Sequence, residues 1–126
     1  MKPHIIGAAA EFPVGSRRVI DIGGRSIGVF NIEGKLYALR NYCPHQGAEL
    51  CSGLITPLVT SEEPGQFSSE REGEIIRCPW HQWEFDIKTG CLITDPRVKT
   101  RSYDVVVETY NIEQSKENVV VYMPTV

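Results

Sequence analysis

Apolar and polar residues alternate with a period of two along most of this 126-residue chain, and no segment sustains the period of a helix. The alternation is clearest in three β-prone runs that short glycine-containing turns separate: RRVIDI, RSIGVFNI and KLYALRNY. Such runs predict a meander of antiparallel hairpins. Near the end, SYDVVVETY and NVVVY flank the polar segment NIEQSKE and predict another hairpin. The expected fold class is therefore all-β, an antiparallel β-sandwich or a small barrel.

Two further segments differ from each other in their pattern of apolar and polar residues. The segment WEFDIK, at residues 83–88, alternates in the same way, which predicts that Trp83, Phe85 and Ile87 share one face of a strand. Residues 52–73 break the pattern, because prolines, glycines, serines and glutamates are concentrated there. This composition predicts an irregular insertion, either a solvated surface loop or a flap that contacts a partner.

Length and charge exclude several classes of protein. A chain of 126 residues predicts a single domain spanning residues 1–126. The net charge of −3 indicates no basic surface for nucleic acid phosphates. No apolar run is long enough to cross a bilayer, and the apolar patch IIGAAA is too short for the core of a signal peptide. We therefore expect a cytoplasmic protein that binds neither nucleic acid nor membrane.

Two short segments, CPHQGAEL at residues 43–50 and CPWHQWEF at residues 78–85, each combine one cysteine with one histidine. The first reads Cys43-x-His45 and the second Cys78-x-x-His81, with 32 residues between them. Thiolate and imidazole are the protein ligands that bind borderline and soft transition metals well. The proline after each cysteine fixes φ and removes one N–H, which stiffens each loop before a metal binds. The two segments therefore predict a metal site with two arms.

Three kinds of metal centre compete for this pattern. A tetrahedral zinc site can use two Cys and two His, although its arms more often pair Cys with Cys and His with His. A blue-copper site needs two His, one Cys and usually an axial Met, and neither Met1 nor Met123 lies in a nearby motif. A [2Fe–2S] centre with two Cys on one iron and two His on the other suits one Cys and one His per arm. Nucleophilic catalysis would need one thiol and one base, not two matched pairs.

The two arms together resemble the cluster loops of Rieske iron–sulfur proteins, especially soluble Rieske ferredoxins and the related domains of ring-hydroxylating oxygenases. The motif match covers roughly residues 41–91. The resemblance implies the Rieske fold, a layered antiparallel β-sandwich of three sheets, with a two-loop cluster-binding subdomain at about residues 41–92 that contains the 52–73 insertion. It also implies one Rieske [2Fe–2S] cluster per chain, with Cys43 and Cys78 on one iron and His45 and His81 on the other.

Departures from one branch of that family indicate a low reduction potential. Members from quinol-oxidising complexes carry an extra cysteine in each loop, and the two form a disulfide; Ala48 and Trp80 stand at the matching positions. Those members also place a sulfide-bonding serine after the second histidine, where this chain has Gln82 and Trp83. Fewer donors stabilise the reduced cluster less, so we expect the low end of the range of about −150 to +300 mV.

The resemblance implies a one-electron carrier and not an enzyme. A mononuclear iron oxygenase would need two further His and a carboxylate, and His4, expected to be an exposed terminal residue, is the one histidine left. The chain has no glycine-rich dinucleotide fingerprint, so a flavin-dependent reductase would supply electrons and an oxygenase or similar acceptor would receive them. The alternatives are a small Rieske-like subunit of a larger oxidoreductase, such as a nitrite reductase, and a structural zinc module.

Other residues near the arms carry less specific interpretations. Cys51 and Cys91 lie outside the ligand pattern and are expected to be small apolar core residues. Trp80 and Trp83 are as compatible with ordinary core as with packing against a cluster. The acidic side chains of the insertion are hypothesised to face a basic partner protein: Glu62, Glu63, Glu70 and Glu72.

Overall fold

Ten β-strands make up the regular structure in a computed structural model that describes residues 2–44, 47–60, 68–79, 83–111 and 116–123. These ranges contain no α-helix, only single 3-10 turns at Ala9–Glu11 and Leu50–Ser52, and hence no helix able to span a membrane. The strands are β1 (Lys2–Ala8), β2 (Arg17–Ile22), β3 (Arg25–Ile32), β4 (Lys35–Arg40), β5 (Leu54–Thr60), β6 (Ser68–Arg77), β7 (Glu84–Asp86), β8 (Ser102–Tyr103), β9 (Val105–Asn111) and β10 (Lys116–Met123). The all-β prediction is confirmed.

The strands form three antiparallel sheets. The terminal sheet has the order β1-β10-β9, the meander sheet β2-β3-β4-β8, and the insertion sheet β5-β6-β7. The predicted meander corresponds to β2, β3 and β4, and the predicted late hairpin to β9 and β10. The three-sheet architecture that the Rieske resemblance implied is present.

The turns of the meander are set by residues with positive φ. Gly23 and Gly24 connect β2 to β3 with φ of 59° and 84°, and Glu33 and Gly34 connect β3 to β4 with φ of 53° and 95°. Two central residues with positive φ are the requirement of a type I′ hairpin, whose twist matches that of the strands it joins. The dipeptides GG and EG therefore fix the register of the whole meander.

The meander sheet is the middle layer, and its central strands β3 and β4 contribute buried side chains to a core on each face. Phe30 and Leu39 point into a first core, which also contains the cysteines of both arms. Val29 and Ala38, one residue away on the same strands, point into a second core shared with the terminal sheet. Alternation along β3 and β4 therefore places two strands that are packed on both faces behind the arms.

The prediction of an irregular insertion at residues 52–73 is wrong for most of its length. The backbone forms β5 and β6, an antiparallel hairpin whose connection, residues 61–67, lies outside the described residues. Pro57 sits where the register shifts between Thr56 and Leu58, on an edge strand, so its missing N–H is tolerated. The hypothesis that the glutamates of this insertion face a partner concerns side chains outside the described part and stays a prediction.

The remaining strand predictions hold with smaller differences. β7 is shorter than the WEFDIK pattern, because the chain turns after Asp86, whose carbonyl accepts the Gly90 N–H at 2.7 Å. Phe85 and Ile87 are buried and Trp83 packs against the first core, as the alternation predicts. His4 is a half-buried strand residue paired with Val121 in the terminal sheet, so its interpretation as an exposed terminal residue is wrong.

Cys51 fills a space that a glycine leaves open. A Cβ atom at Gly28 would lie 2.4 Å from the Cys51 Sγ, so the thiol packs directly on the backbone of β3. The Asn41 side chain accepts the Cys51 N–H at 2.8 Å. The Cys51 side chain is completely buried. Burial raises the pKa of this thiol from its ordinary value of 9.0 to about 12, although the Gly28 backbone and Arg17 act in the opposite direction. Cys51 is thus the apolar core residue that the sequence predicts.

This shift predicts a loss of stability at alkaline pH. The folded pKa lies above the unfolded one, so the contribution of Cys51 is fully present below about pH 9 and decreases as the pH rises toward 12. Between about pH 8 and pH 10 the native chain should lose roughly 1.4 kcal/mol more unfolding free energy than Cys51→Ala. Urea unfolding at both pH values measures the difference, and parallel losses in the two proteins would contradict the assignment.

Gly53 allows its own backbone to lie against the last residue of β6, just before the second arm. A Cβ atom at Gly53 would lie 1.9 Å from the carbonyl oxygen of Arg77, the residue immediately before Cys78. The Gly53 carbonyl also accepts a hydrogen bond from the Arg17 guanidinium on β2. Gly53 therefore connects the meander sheet to the base of the second arm.

We expect Gly53→Ala to displace the second arm. The clash is with backbone, which cannot rotate away, so the cost should be roughly 1–3 kcal/mol, as for overpacking. Gly23→Ala is the matched control, because a Cβ atom at Gly23 meets no other atom within 4 Å. Gly23 has a positive φ, so its replacement by alanine carries a separate strain cost of about 1 kcal/mol. Thermal unfolding measures stability, and the iron bound per chain measures whether the second arm can still bind metal. Full iron content with native stability in Gly53→Ala would contradict this role.

Candidate metal centre

The first arm begins directly after the meander. Cys43 follows the end of β4 by three residues and is 1% exposed. Its N–H donates to the Ala48 carbonyl at 2.9 Å, and its carbonyl accepts the Gly47 N–H at 2.7 Å. Gly47 has a φ of 76°, which a residue with a side chain would adopt only under strain. The arm is therefore a short loop that closes on its own cysteine.

The second arm has the same construction. Cys78 directly follows β6 and is fully buried. Its N–H donates to the Trp83 carbonyl at 2.8 Å, just before β7 begins. In both arms the cysteine N–H bonds to a carbonyl five residues further along the chain. Two segments with different sequences therefore present their cysteines from equivalent positions in two loops.

Both predicted histidine ligands fall, by sequence, within these two segments. His45 falls between Cys43 and Ala48, and His81 falls between Cys78 and Trp83, but both lie outside the described residues, as do Trp80 and Gln82. Within the described ranges no group of three or more metal-binding side chains occurs. The four-residue ligand set consequently stays a prediction.

The cysteine pair has the surroundings that a thiolate-bound metal requires. Cys43 and Cys78 belong to one apolar cluster with Leu50, Phe85 and Leu92, so water is largely excluded from them. None of the four cysteines forms a disulfide. A buried thiolate is costly without a neighbouring positive charge, and a bound transition metal supplies that charge. The donor set present therefore fits an iron–sulfur cluster.

Thr100 braces the first arm, although no pattern in the sequence predicts this role. It is the buried polar residue of the described core, 3% exposed, and its hydroxyl donates to the Tyr42 carbonyl at 2.8 Å, with the Arg40 carbonyl at 3.3 Å. Its N–H donates to the Gly90 carbonyl at 3.0 Å. Because it belongs to neither arm, no local motif signals this role. Thr100 ties a distant segment to the residue before Cys43.

The two other cysteines lie outside the two arms. Cys51 lies in the same core but against Gly28, as described above. Cys91 is half-buried, and its N–H bonds to the Thr89 hydroxyl at 3.2 Å. The expectation of a core residue therefore holds for Cys51 and only partly for Cys91.

The chain is similar to known proteins both in sequence and in fold. A family model described as the Rieske [2Fe-2S] domain matches residues 2–114. The ferredoxin component of the naphthalene 1,2-dioxygenase/salicylate 5-hydroxylase systems of Ralstonia sp. is 28% identical over 103 residues, which cover 81% of this chain and 84% of that relative.

Solved structures share the fold. The ferredoxin of carbazole 1,9a-dioxygenase from Nocardioides aromaticivorans IC177 superimposes with a TM-score of 0.65 at 24% identity, over 94% of this chain and 97% of that one. A protein named as the small subunit of an NADPH nitrite reductase gives a TM-score of 0.65 at 14% identity, over 98% of this chain and 100% of that one. Because the family model spans nearly the whole chain, the protein belongs to the family of Rieske [2Fe-2S] domains.

Proposed function

We propose that the protein is a one-electron carrier that holds one Rieske [2Fe–2S] cluster. The observation that carries this proposal is the pair of equivalent arms, whose buried cysteines meet in one apolar cluster. The relatives by sequence that are named as ferredoxin components point the same way. When bound, the cluster supplies a site that accepts and releases one electron.

We propose that Cys43 and Cys78 bind one iron and that His45 and His81 bind the other. Two ferric ions, two sulfides and two thiolates sum to zero charge, and one added electron gives −1. A neutral oxidised site is compatible with the apolar surroundings of the two cysteines. The chain's own contribution is to fix the loops in advance, so that little rearrangement accompanies electron transfer.

The donor and acceptor follow from the chemistry that the chain lacks. Its sequence contains no dinucleotide fingerprint, so a flavin-dependent reductase is the proposed donor. An oxygenase is the proposed acceptor, because the relatives are named as ferredoxin components of dioxygenase systems. A catalytic iron would need two further histidines, and the chain has only His4, which pairs with Val121 in the terminal sheet. This supports a carrier that has no catalytic activity of its own.

A subunit of a larger oxidoreductase is the second candidate. One observation favours it, the superposition on the protein named as a nitrite reductase small subunit. That similarity is in fold at 14% identity, whereas the similarity to ferredoxin components extends to the sequence at 28%. We therefore place the ferredoxin role first.

A cytoplasmic location remains part of the proposal, supported by four cysteines without a disulfide.

We also propose a reduction potential at the low end of the Rieske range. Ala48 is buried in the core and has no thiol, so the first arm lacks the cysteine that would form a loop-to-loop disulfide. Gln82 and Trp83 replace the serine donor of the high-potential branch. Potentiometric titration of the purified protein tests this directly, with a midpoint well above 0 mV as the contradicting result.

Replacement of a histidine ligand gives a sharper test of the assignment. His81→Cys should lower the midpoint potential, because thiolate adds negative charge, and should weaken its pH dependence, because the outer proton of the imidazole is gone. Potentiometry across a range of pH measures both effects. His4→Cys makes the same chemical change in the terminal sheet and should leave the potential unaltered. If His81→Cys behaved like His4→Cys, His81 would not be a ligand.

A further inference from the structure

A patch of positive charge lies beside the first arm. We call Arg40, Lys99 and Arg101 the basic rim; all three side chains are exposed. Arg40 ends β4, and its N–H donates to the Arg101 carbonyl at 2.8 Å, so the two backbones are adjacent. Lys99 and Arg101 flank Thr100, whose side chain points inward. The three cations therefore lie at one end of the meander sheet, with Arg40 on β4 and the other two on the segment that leads into β8.

Tyr42 links this rim to the arm. The Arg40 guanidinium lies 4.9 Å from the centre of the Tyr42 ring. The same ring covers Gly47, where a Cβ atom would lie 3.0 Å from it. Tyr42 precedes Cys43, and Thr100 holds its carbonyl at 2.8 Å. The rim is thus attached to the loop that carries Cys43 by a direct chain of contacts.

The charge of the rim is not neutralised locally. Residues 96–103 contain no carboxylate, and Glu49 is the one carboxylate among residues 36–50. Arg97, also exposed, is neutralised by Asp95 at 3.0 Å, which lowers the pKa of that carboxyl. Across the described part of the chain, the three rim residues form no salt bridge. A chain with a net charge of −3 therefore concentrates positive charge beside its arm.

We propose that the basic rim is a docking surface for an acidic patch on a redox partner protein. This inference rests on the proposed electron-carrier function and adds the sign of the partner's charge. Arginine and tyrosine are enriched in protein interfaces, and Tyr42 is 43% exposed. Opposite charge next to the redox site raises the rate of encounter and favours orientations that bring the two centres close.

Small oxidants of opposite charge test the local potential without a known partner. The protein is reduced by one electron, then mixed by stopped flow with hexacyanoferrate(III), a trivalent anion, or hexaamminecobalt(III), a trivalent cation. At about 10 mM ionic strength, each arginine-to-glutamine change in the rim (Arg40→Gln, Arg101→Gln) should slow the anion by about three- to fivefold and accelerate the cation. At about 0.5 M salt both effects should largely disappear.

Lys35→Gln is the matched control. Lys35 begins β4 and is exposed, so it carries the same charge at the other end of the strand from Arg40, about 16 Å away. Its removal should change either rate by less than about twofold. Equal effects from Lys35→Gln and Arg40→Gln, or no effect from either, would overturn the inference.

A second readout does not depend on the cluster. Poly-L-glutamate, used as an acidic surface, should protect Lys99 from acylation while leaving Lys35 reactive, and Arg40→Gln with Arg101→Gln should abolish the protection. Peptide mass mapping measures both lysines in one sample. Equal protection of both lysines would overturn the docking surface. A protein that binds poly-L-glutamate at Lys99 but cannot be reduced by one electron would contradict the proposed function, while the basic rim would still stand as a surface that binds acidic groups.

Discussion

The structure depends on bringing two cysteines, distant in sequence, into one apolar cluster. Cys43 follows the meander sheet and Cys78 follows the insertion sheet, and each is held by a hydrogen bond from its own N–H to a carbonyl five residues on. These bonds fix the direction of both loops without using the cysteine side chains. Both thiols lie in surroundings where a bare thiolate would be unstable without a bound metal.

Close backbone approach holds the two arms in this arrangement. Gly28 gives space to Cys51, and Gly53 gives space to the carbonyl of Arg77. At each point a single methyl group would push apart the layers on which one arm depends. Thr100 adds a third connection, because its hydroxyl satisfies the backbone beside Cys43 from a segment far along the chain. The contacts that place the arms therefore come from segments that are far apart in the sequence.

Sequence reasoning recovered the features that repeat locally. The period-two runs and the GG and EG turns gave the meander, since alternation and positive φ are properties of adjacent residues. The β5–β6 hairpin was missed because Pro57 and a polar composition resemble a loop, while a register shift on an edge strand accommodates them. Thr100 was missed for a different reason: its partners, Arg40 and Tyr42, are set only by the tertiary structure.

Two surfaces of opposite charge are proposed to contact partner proteins. The basic rim adjoins the first arm, whereas the glutamates proposed to face a partner belong to the insertion. Surfaces of opposite sign would suit a carrier that meets a donor and an acceptor in turn, because each partner would orient differently on the same molecule. Such a carrier needs one site that stores one electron, and charged surfaces near that site direct how the electron enters and leaves.

The most direct test of this account is the metal content of anaerobically purified protein, together with its EPR spectrum after one-electron reduction. The account predicts about two irons and two acid-labile sulfides per chain, with the rhombic signal of a cluster that has histidine ligands. One zinc, no sulfide and no signal would contradict it and would leave the two arms as a structural zinc module.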